Sequence, residues 1–145
     1  MATGTGQEKI DSMVELLRKW QKIERKSIEH TAEIMEKTNN KLIWQIMEII
    51  RNDSVQHHRV QQFIIESLTT NPVHLKPEEL GEIWQEIEEH DEMEKETIEI
   101  AKKLRDECPL PIQKQLLDYL IIDEEKHDTL LMQLNEFKKK VSGPN

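Results

Sequence analysis

Residues 77–107 read PEELGEIWQEIEEHDEMEKETIEIAKKLRDE, and apolar residues recur in them every three or four positions. This spacing predicts one amphipathic helix that runs the length of the stretch. Pro77 suits the first turn of a helix, where its missing N–H costs nothing, and Glu78 and Glu79 favour the positive end of the helix dipole. The segment Cys108-Pro109-Leu110-Pro111 then ends the helix.

Three further runs of similar length show the same periodicity, and short segments rich in Pro and Asn separate them. The breakers lie at Thr38-Asn39-Asn40, at Thr70-Asn71-Pro72 through Lys76-Pro77, at Cys108 to Pro111, and at Gly143-Pro144. The predicted helices span residues 7–37, 41–69, 77–107 and 111–140. Strand signals are absent from the sequence, so we predict an all-α fold: one antiparallel four-helix bundle domain over residues 1–145.

Composition excludes several classes of function. Asp and Glu number 29 against 20 Lys and Arg, a formal net charge of −9 that would repel a phosphate backbone, so we expect no nucleic-acid partner. No apolar run approaches the roughly 20 residues that cross a membrane, and no apolar signal segment precedes the first helix, so we expect a cytoplasmic protein without a membrane partner. Cys108 is the only cysteine, which excludes an internal disulfide and a four-thiolate metal site.

Polar residues interrupt the apolar stripe of every predicted helix. A buried carboxylate costs several kcal/mol unless it is paired or binds a metal. Because the stripe is interrupted on all four helices, the interruptions call for one common cause. The interrupting residues, in chain order, are Glu24, Asp53, His57, His90, Glu94, Asp123, Glu124 and His127.

The position of these residues along the helices indicates a shared level. At 1.5 Å per residue, each lies roughly 20–26 Å from its hairpin turn, His90 somewhat farther, so two packed hairpins would bring them together. An offset of 70 residues also relates Glu24 to Glu94, Asp53 to Asp123 and His57 to His127. We therefore predict two helical hairpins related by a pseudo-twofold axis.

Residues 123–127, Asp-Glu-Glu-Lys-His, resemble the Asp-Glu-x-x-His motif of the ferritin-like superfamily, which includes the rubrerythrins and other di-iron carboxylate proteins. Residues 53–57 resemble the same motif, except that Ser54 stands where the family has Glu. The resemblance implies a ferritin-like bundle with one altered ligand position. It implies Asp53 and Asp123 as residues that orient the imidazoles, and a metal-ligand set of Glu24, His57, Glu94, Glu124 and His127.

Ser54 leaves the nature of the site open, because a hydroxyl is a poor iron ligand. His90, one turn before Glu94, could replace the missing ligand, or Asp53 could turn inward. The resemblance implies a non-haem iron site with two ions or one, with manganese or zinc as alternatives, that reacts with peroxide or dioxygen. Such a rubrerythrin-like peroxidase or ferroxidase would need a separate electron donor, since the chain has no four-cysteine iron site.

Two alternatives remain at this point. The polar residues could form a metal-free network in a ferritin-like scaffold that serves as a structural or interaction domain.

The topology is also open, because residues 69–77 reach about 30 Å when extended and the helices are longer. A ferritin-like crossover and a simple up-down-up-down bundle are both compatible with that length. Exposed tryptophans on long helices further suggest a homodimer.

Overall fold

The computed structural model describes residues 5–142, and these form four long α-helices. The helices are α1 (Gly6–Lys37), α2 (Lys41–Thr69), α3 (Pro77–Glu107) and α4 (Pro111–Ser142). Residues 5–142 contain no strand. The predicted all-α fold is confirmed, and the predicted helix ends agree with the observed ones to within two residues. The predicted stop at Gly143-Pro144 lies outside the described residues.

Local hydrogen bonds fix where the first two helices begin. The hydroxyl of Thr5 accepts a hydrogen bond from the backbone N–H of Glu8 at 3.1 Å, and the Glu8 carboxylate accepts one from the N–H of Thr5 at 3.1 Å. The Asn40 side chain accepts from the N–H groups of Leu42 and Ile43, at 2.9 and 3.1 Å. These side chains satisfy backbone donors that have no partner inside the helix.

The chain divides into two compact units, with the boundary between Val73 and His74. In the first, α1 packs against α2 after a turn at residues 38–40; we call this pair the N-terminal hairpin. In the second, α3 packs against α4 after a turn at residues 108–110; this pair is the C-terminal hairpin. The two helical hairpins expected from the sequence are therefore present.

The seam of the N-terminal hairpin is mostly polar. Ile65 is the only large apolar residue among its fully buried positions, and the others are Gln21, Glu24, Thr31, Ser54 and Gln61. Such a seam has to be held by hydrogen bonds, because buried polar groups without partners are costly. The amide of Gln21, for example, donates to the Gln62 side chain at 3.0 Å and to the backbone carbonyl of His58 at 3.4 Å.

The seam of the C-terminal hairpin is more apolar. Its fully buried residues are Leu80, Glu94, Ile98, Ala101 and Ile121. Glu94 is the single charged residue of this set. The seam therefore buries one carboxylate, and an ionised group in such a place needs compensation by charge or hydrogen bonds.

Burial in α2 differs from the predicted stripe by one position. The stripe contains Val60 and Ile64, whereas the buried residues are Gln61 and Ile65. One residue corresponds to about 100° around a helix. The surface of α2 that α1 covers is therefore rotated by about 100° from the predicted apolar stripe. Several stripe residues are accordingly 39–52% exposed: Met13, Trp20, Ile46, Ile50 and Val60.

None of the helices in residues 5–142 is both long enough and apolar enough to span a bilayer.

The Asn40 cap generates a stability prediction. Asn40→Ala removes the acceptor for two N–H groups at the start of α2, and we expect a loss of about 1 kcal/mol in the free energy of unfolding. Urea denaturation followed by circular dichroism measures this loss. Asn39→Ala is the matched control, because the structure gives the Asn39 side chain no capping bond. Equal losses in the two variants would contradict the assignment of the cap.

Candidate metal centre

Glu94 lies at the middle of α3, and its carboxylate is flanked by two imidazoles. Its residue exposure is only 9%. Nε2 of His90, one turn earlier on α3, lies 2.9 Å from Oε1 of Glu94. Nδ1 of His127, on α4, lies 3.5 Å from Oε2. Both oxygens of the buried carboxylate therefore have an imidazole nitrogen close by.

Glu124 completes the cluster from α4. Glu124 and His127 are three residues apart, so their side chains leave the helix on one face. Nδ1 of His127 lies 3.6 Å from Oε2 of Glu124. One ligand atom from each of Glu94, Glu124 and His127 falls within 4.8 Å of the other two. These three residues form the one group in residues 5–142 that could hold a metal ion by this measure.

The spacing of the three ligand atoms fits one ion. Nitrogen and oxygen ligands sit about 2.0–2.2 Å from a zinc ion, so two ligand atoms on the same ion are at most about 4.2 Å apart. The observed limit of 4.8 Å is slightly wider. In the tetrahedral geometry that zinc prefers, ligand atoms are about 3.5 Å apart, so side-chain rotations would have to draw the most widely separated atoms together by up to about 1.3 Å.

The carboxyls of Glu94 and Glu124 face each other and shift each other's pKa in opposite directions. A hydrogen bond to Glu94, burial and the negative charge of Glu94 together raise the pKa of Glu124. The pKa of Glu94 is lowered, first by the hydrogen bond from Glu124 and then by the nearby histidines, against the opposing effect of burial. With both carboxyls ionised, Oε2 of Glu94 has no hydrogen-bond partner within residues 5–142. A proton on Glu124, or a cation between the two groups, would compensate it.

A second carboxyl pair lies one helical turn away. The hydrogen bond from Asp128 lowers the pKa of Asp91, and the same bond together with burial raises the pKa of Asp128. Nζ of Lys95 lies 3.3 Å from Oδ2 of Asp91. Seven acidic residues lie in residues 86–96, and a run of like charges in a helix is ordinarily a solvated face, so its sequence does not predict this pair. The signal that could have found the pair is spacing, since Asp91 precedes Glu94 by three residues and Asp128 follows Glu124 by four.

Asp123 lies on the far side of the His127 ring. Its Oδ2 is 3.6 Å from Nε2 of His127, while Nδ1 faces Glu94 and Glu124. That Asp123 orients this imidazole, as the ferritin-like resemblance implies, stays a prediction. The other Asp123 oxygen pairs with Nζ of Lys126 at 2.9 Å, which holds the carboxylate in place.

The N-terminal hairpin contains a related but smaller cluster. Glu24 is 7% exposed, and its Oε1 accepts a hydrogen bond from Nε1 of Trp20 at 3.1 Å. Nδ1 of His57 lies 3.4 Å from the same oxygen. Ser54 is buried, and its hydroxyl is hydrogen-bonded to that of Ser27 at 2.8 Å. Asp53 is half-buried and forms no hydrogen bond or ion pair with any residue that the structure describes.

A groove begins beside the C-terminal cluster. It has a volume of about 470 Å³, and Asp91 and Lys95 line it together with the apolar side chains of Ile87, Leu131 and Met132. Because Asp91 is one turn from Glu94, a small molecule in this groove would lie close to the carboxyl pairs.

No similar protein was found in comparisons with known families, sequences and structures. The chain matches no protein-family model, and searches of curated proteins and of solved structures gave no significant match. The residues of the two hairpins and their geometry are therefore the basis for a functional assignment.

The shared proton generates a prediction for the metal-free protein. Because the folded-state pKa of Glu124 is raised, stability from the shared proton is present at low pH and is lost as pH rises through that pKa. In Glu124→Gln, an amide N–H replaces the proton at every pH, so this loss should disappear. We expect the variant to be about 1 kcal/mol more stable than the wild type above that pKa.

Urea denaturation in the presence of a chelator, repeated over a series of pH values, measures the difference. Glu125→Gln removes a carboxylate at the next position, which is exposed, and serves as the control. Parallel pH profiles for the wild type and Glu124→Gln would show that Glu94 and Glu124 do not share a proton.

Proposed function

We propose that the C-terminal hairpin binds a transition-metal ion through Glu94, Glu124 and His127. One observation carries the proposal: ligand atoms of Glu94, Glu124 and His127 lie within 4.8 Å of one another, beside the buried Oε2 of Glu94, which has no hydrogen-bond partner in residues 5–142 while both carboxyls are ionised. A cation there would neutralise two carboxyl groups that now compete for one proton. The arrangement thus provides both the ligands and the electrostatic need for an ion.

The donor set narrows the choice of metal. Two carboxylates and one imidazole suit iron, manganese and zinc, whereas a site for Cu(I) would use sulfur ligands. The resemblance to ferritin-like proteins favours iron among these. His90 is the candidate for a fourth ligand, because its Nε2 is already 2.9 Å from Glu94 and its exposed ring is free to turn.

We further propose that the iron-loaded site reacts with hydrogen peroxide or dioxygen. Oxidation of one Fe(II) to Fe(III) would supply one electron, whereas reduction of hydrogen peroxide to two waters takes two electrons and two protons. A separate electron donor would supply the second electron and return the ion to Fe(II). Glu94 and Glu124 would hold it, and Asp123 would keep Nδ1 of His127 directed at it. Asp128, whose pKa is raised by its hydrogen bond to Asp91 and by burial, would hold a proton one turn from the site. Peroxide reduction to water consumes protons, so a nearby protonated carboxyl suits this reaction.

Electrons would have to reach the site from outside these 145 residues. The 145 residues contain one cysteine, so they cannot form a four-cysteine iron site of the kind found in rubrerythrins. The proposed partner is therefore a small electron donor.

The second candidate function is that of a metal-free structural or interaction domain. The observation that favours it is the closeness of the Glu94 and Glu124 carboxyls, since one proton between them would compensate the buried Glu94 without an ion. In this case the cluster would stabilise the hairpin and have no redox role.

Metal titration separates the two functions. We expect the wild type to bind one Fe(II) per chain under anaerobic conditions, and His127→Ala to bind it at least about tenfold more weakly, since one ligand is lost. Equilibrium dialysis with elemental analysis gives both quantities, and Mn(II) and Zn(II) provide the comparison. His30→Ala is the control, because His30 is an exposed histidine outside both clusters.

Stopped-flow absorbance then tests the redox step. The loaded wild type should be oxidised by hydrogen peroxide faster than free Fe(II) at equal concentration, and His127→Ala should not. Metal binding without faster oxidation would leave a metal site and remove the peroxidase proposal. If the wild type binds no metal, the second candidate function, a metal-free structural or interaction domain, is supported.

A further inference from the structure

The two hairpins carry matching residues at the centre, with two exceptions. At an offset of 70 residues, Glu24 matches Glu94 and His57 matches His127. Both glutamates are buried, and each has the imidazole of its matching histidine within 3.5 Å. The exceptions are Trp20, which stands where the C-terminal hairpin has His90, and Ser54, which stands where it has Glu124.

Trp20 and His90 make the same contact with different chemistry. Nε1 of Trp20 donates a hydrogen bond to Oε1 of Glu24 at 3.1 Å, and Nε2 of His90 lies 2.9 Å from Oε1 of Glu94. The indole nitrogen is only a donor and has no lone pair for a metal, whereas a neutral imidazole has one. Trp20 therefore occupies a carboxylate oxygen that a metal ion would need.

Ser54 removes the second carboxylate. Its hydroxyl is buried and is hydrogen-bonded to Ser27 at 2.8 Å, so it has a partner within the seam. The N-terminal centre then contains one carboxylate, with the Trp20 N–H and the His57 ring beside it. The C-terminal centre contains two carboxyls in contact, Glu94 and Glu124. With both carboxyls ionised, the C-terminal centre carries one more negative charge than the N-terminal centre, and a cation would balance this charge.

We infer that Trp20 and Ser54 close the N-terminal hairpin to metal ions, so that each chain binds one ion, in the C-terminal hairpin. Glu24 and His57, which the ferritin-like resemblance implies as ligands, are then part of a metal-free polar cluster that stabilises α1 against α2. This inference rests on the proposed function of the C-terminal site, and it names the residues that decide which hairpin takes the metal.

Exchange of the two residues tests the inference by gain of a site. The double variant Trp20→His/Ser54→Glu gives the N-terminal hairpin the donor set of the C-terminal one. Titrated with Co(II), whose visible absorption reports bound ion, it should bind two ions per chain where the wild type binds one. The control Trp44→His/Ser12→Glu adds the same side chains away from Glu24 and should keep the wild-type number.

A loss-of-ligand variant tests the inference without rebuilding the seam. His57 is exposed, so His57→Ala should fold, and circular dichroism checks that it does. We expect its Co(II) stoichiometry and affinity to equal those of the wild type. A tenfold loss of affinity in His57→Ala would overturn the inference, because it would make His57 a ligand.

The outcomes also separate this inference from the proposed function. One ion in both the wild type and the double variant would overturn the inference and leave the C-terminal site intact. Two ions in the wild type would overturn it as well. No ion in the wild type and one in the double variant would support the role of Trp20 and Ser54 in closing the N-terminal hairpin, but would overturn the single C-terminal ion together with the proposed function. No ion in either would overturn both proposals.

Discussion

Burial of the Glu94 carboxylate is the constraint on which the C-terminal hairpin depends. An ionised carboxylate inside a low-dielectric seam costs several kcal/mol unless charge or hydrogen bonds compensate it. The hairpin places the compensating groups on both helices: His90 from α3, and Glu124 and His127 from α4. The same groups carry nitrogen and oxygen atoms of the kind that bind transition metals. The candidate site is therefore a direct consequence of how this charge is buried.

The N-terminal hairpin meets the same constraint in a different way. Glu24 is as deeply buried as Glu94, but the indole N–H of Trp20 and the ring of His57 are its neighbours. Glu24 therefore has nitrogen groups beside it, whereas Glu94 has a second carboxyl group beside it. Two hairpins of similar sequence can thus keep a buried glutamate while only one of them retains a need for a cation.

The helices and the residues of the clusters were predictable to different degrees. Pro77, Pro111 and Asn40 mark helix starts through local chemistry, so the helix bounds follow from the sequence. The grouping of Glu94 with His127 follows from their depth in the hairpin. The role of Trp20 was not predictable in this way, because an indole on an apolar stripe is expected to pack, and its hydrogen bond to Glu24 depends on rotamers that periodicity does not specify. The pairing of Asp91 with Asp128 was missed since it depends on which side of α3 faces α4.

Anomalous X-ray diffraction from crystals of the full chain grown with Zn(II) tests the central claim most directly. Data collected on both sides of the zinc absorption edge locate the ion without assumptions about its ligands. The account predicts one strong peak per chain, bounded by the carboxylates of Glu94 and Glu124 and by Nδ1 of His127. A peak at Glu24 and His57 instead, or no peak at Glu94 in a zinc-saturated crystal, would contradict it.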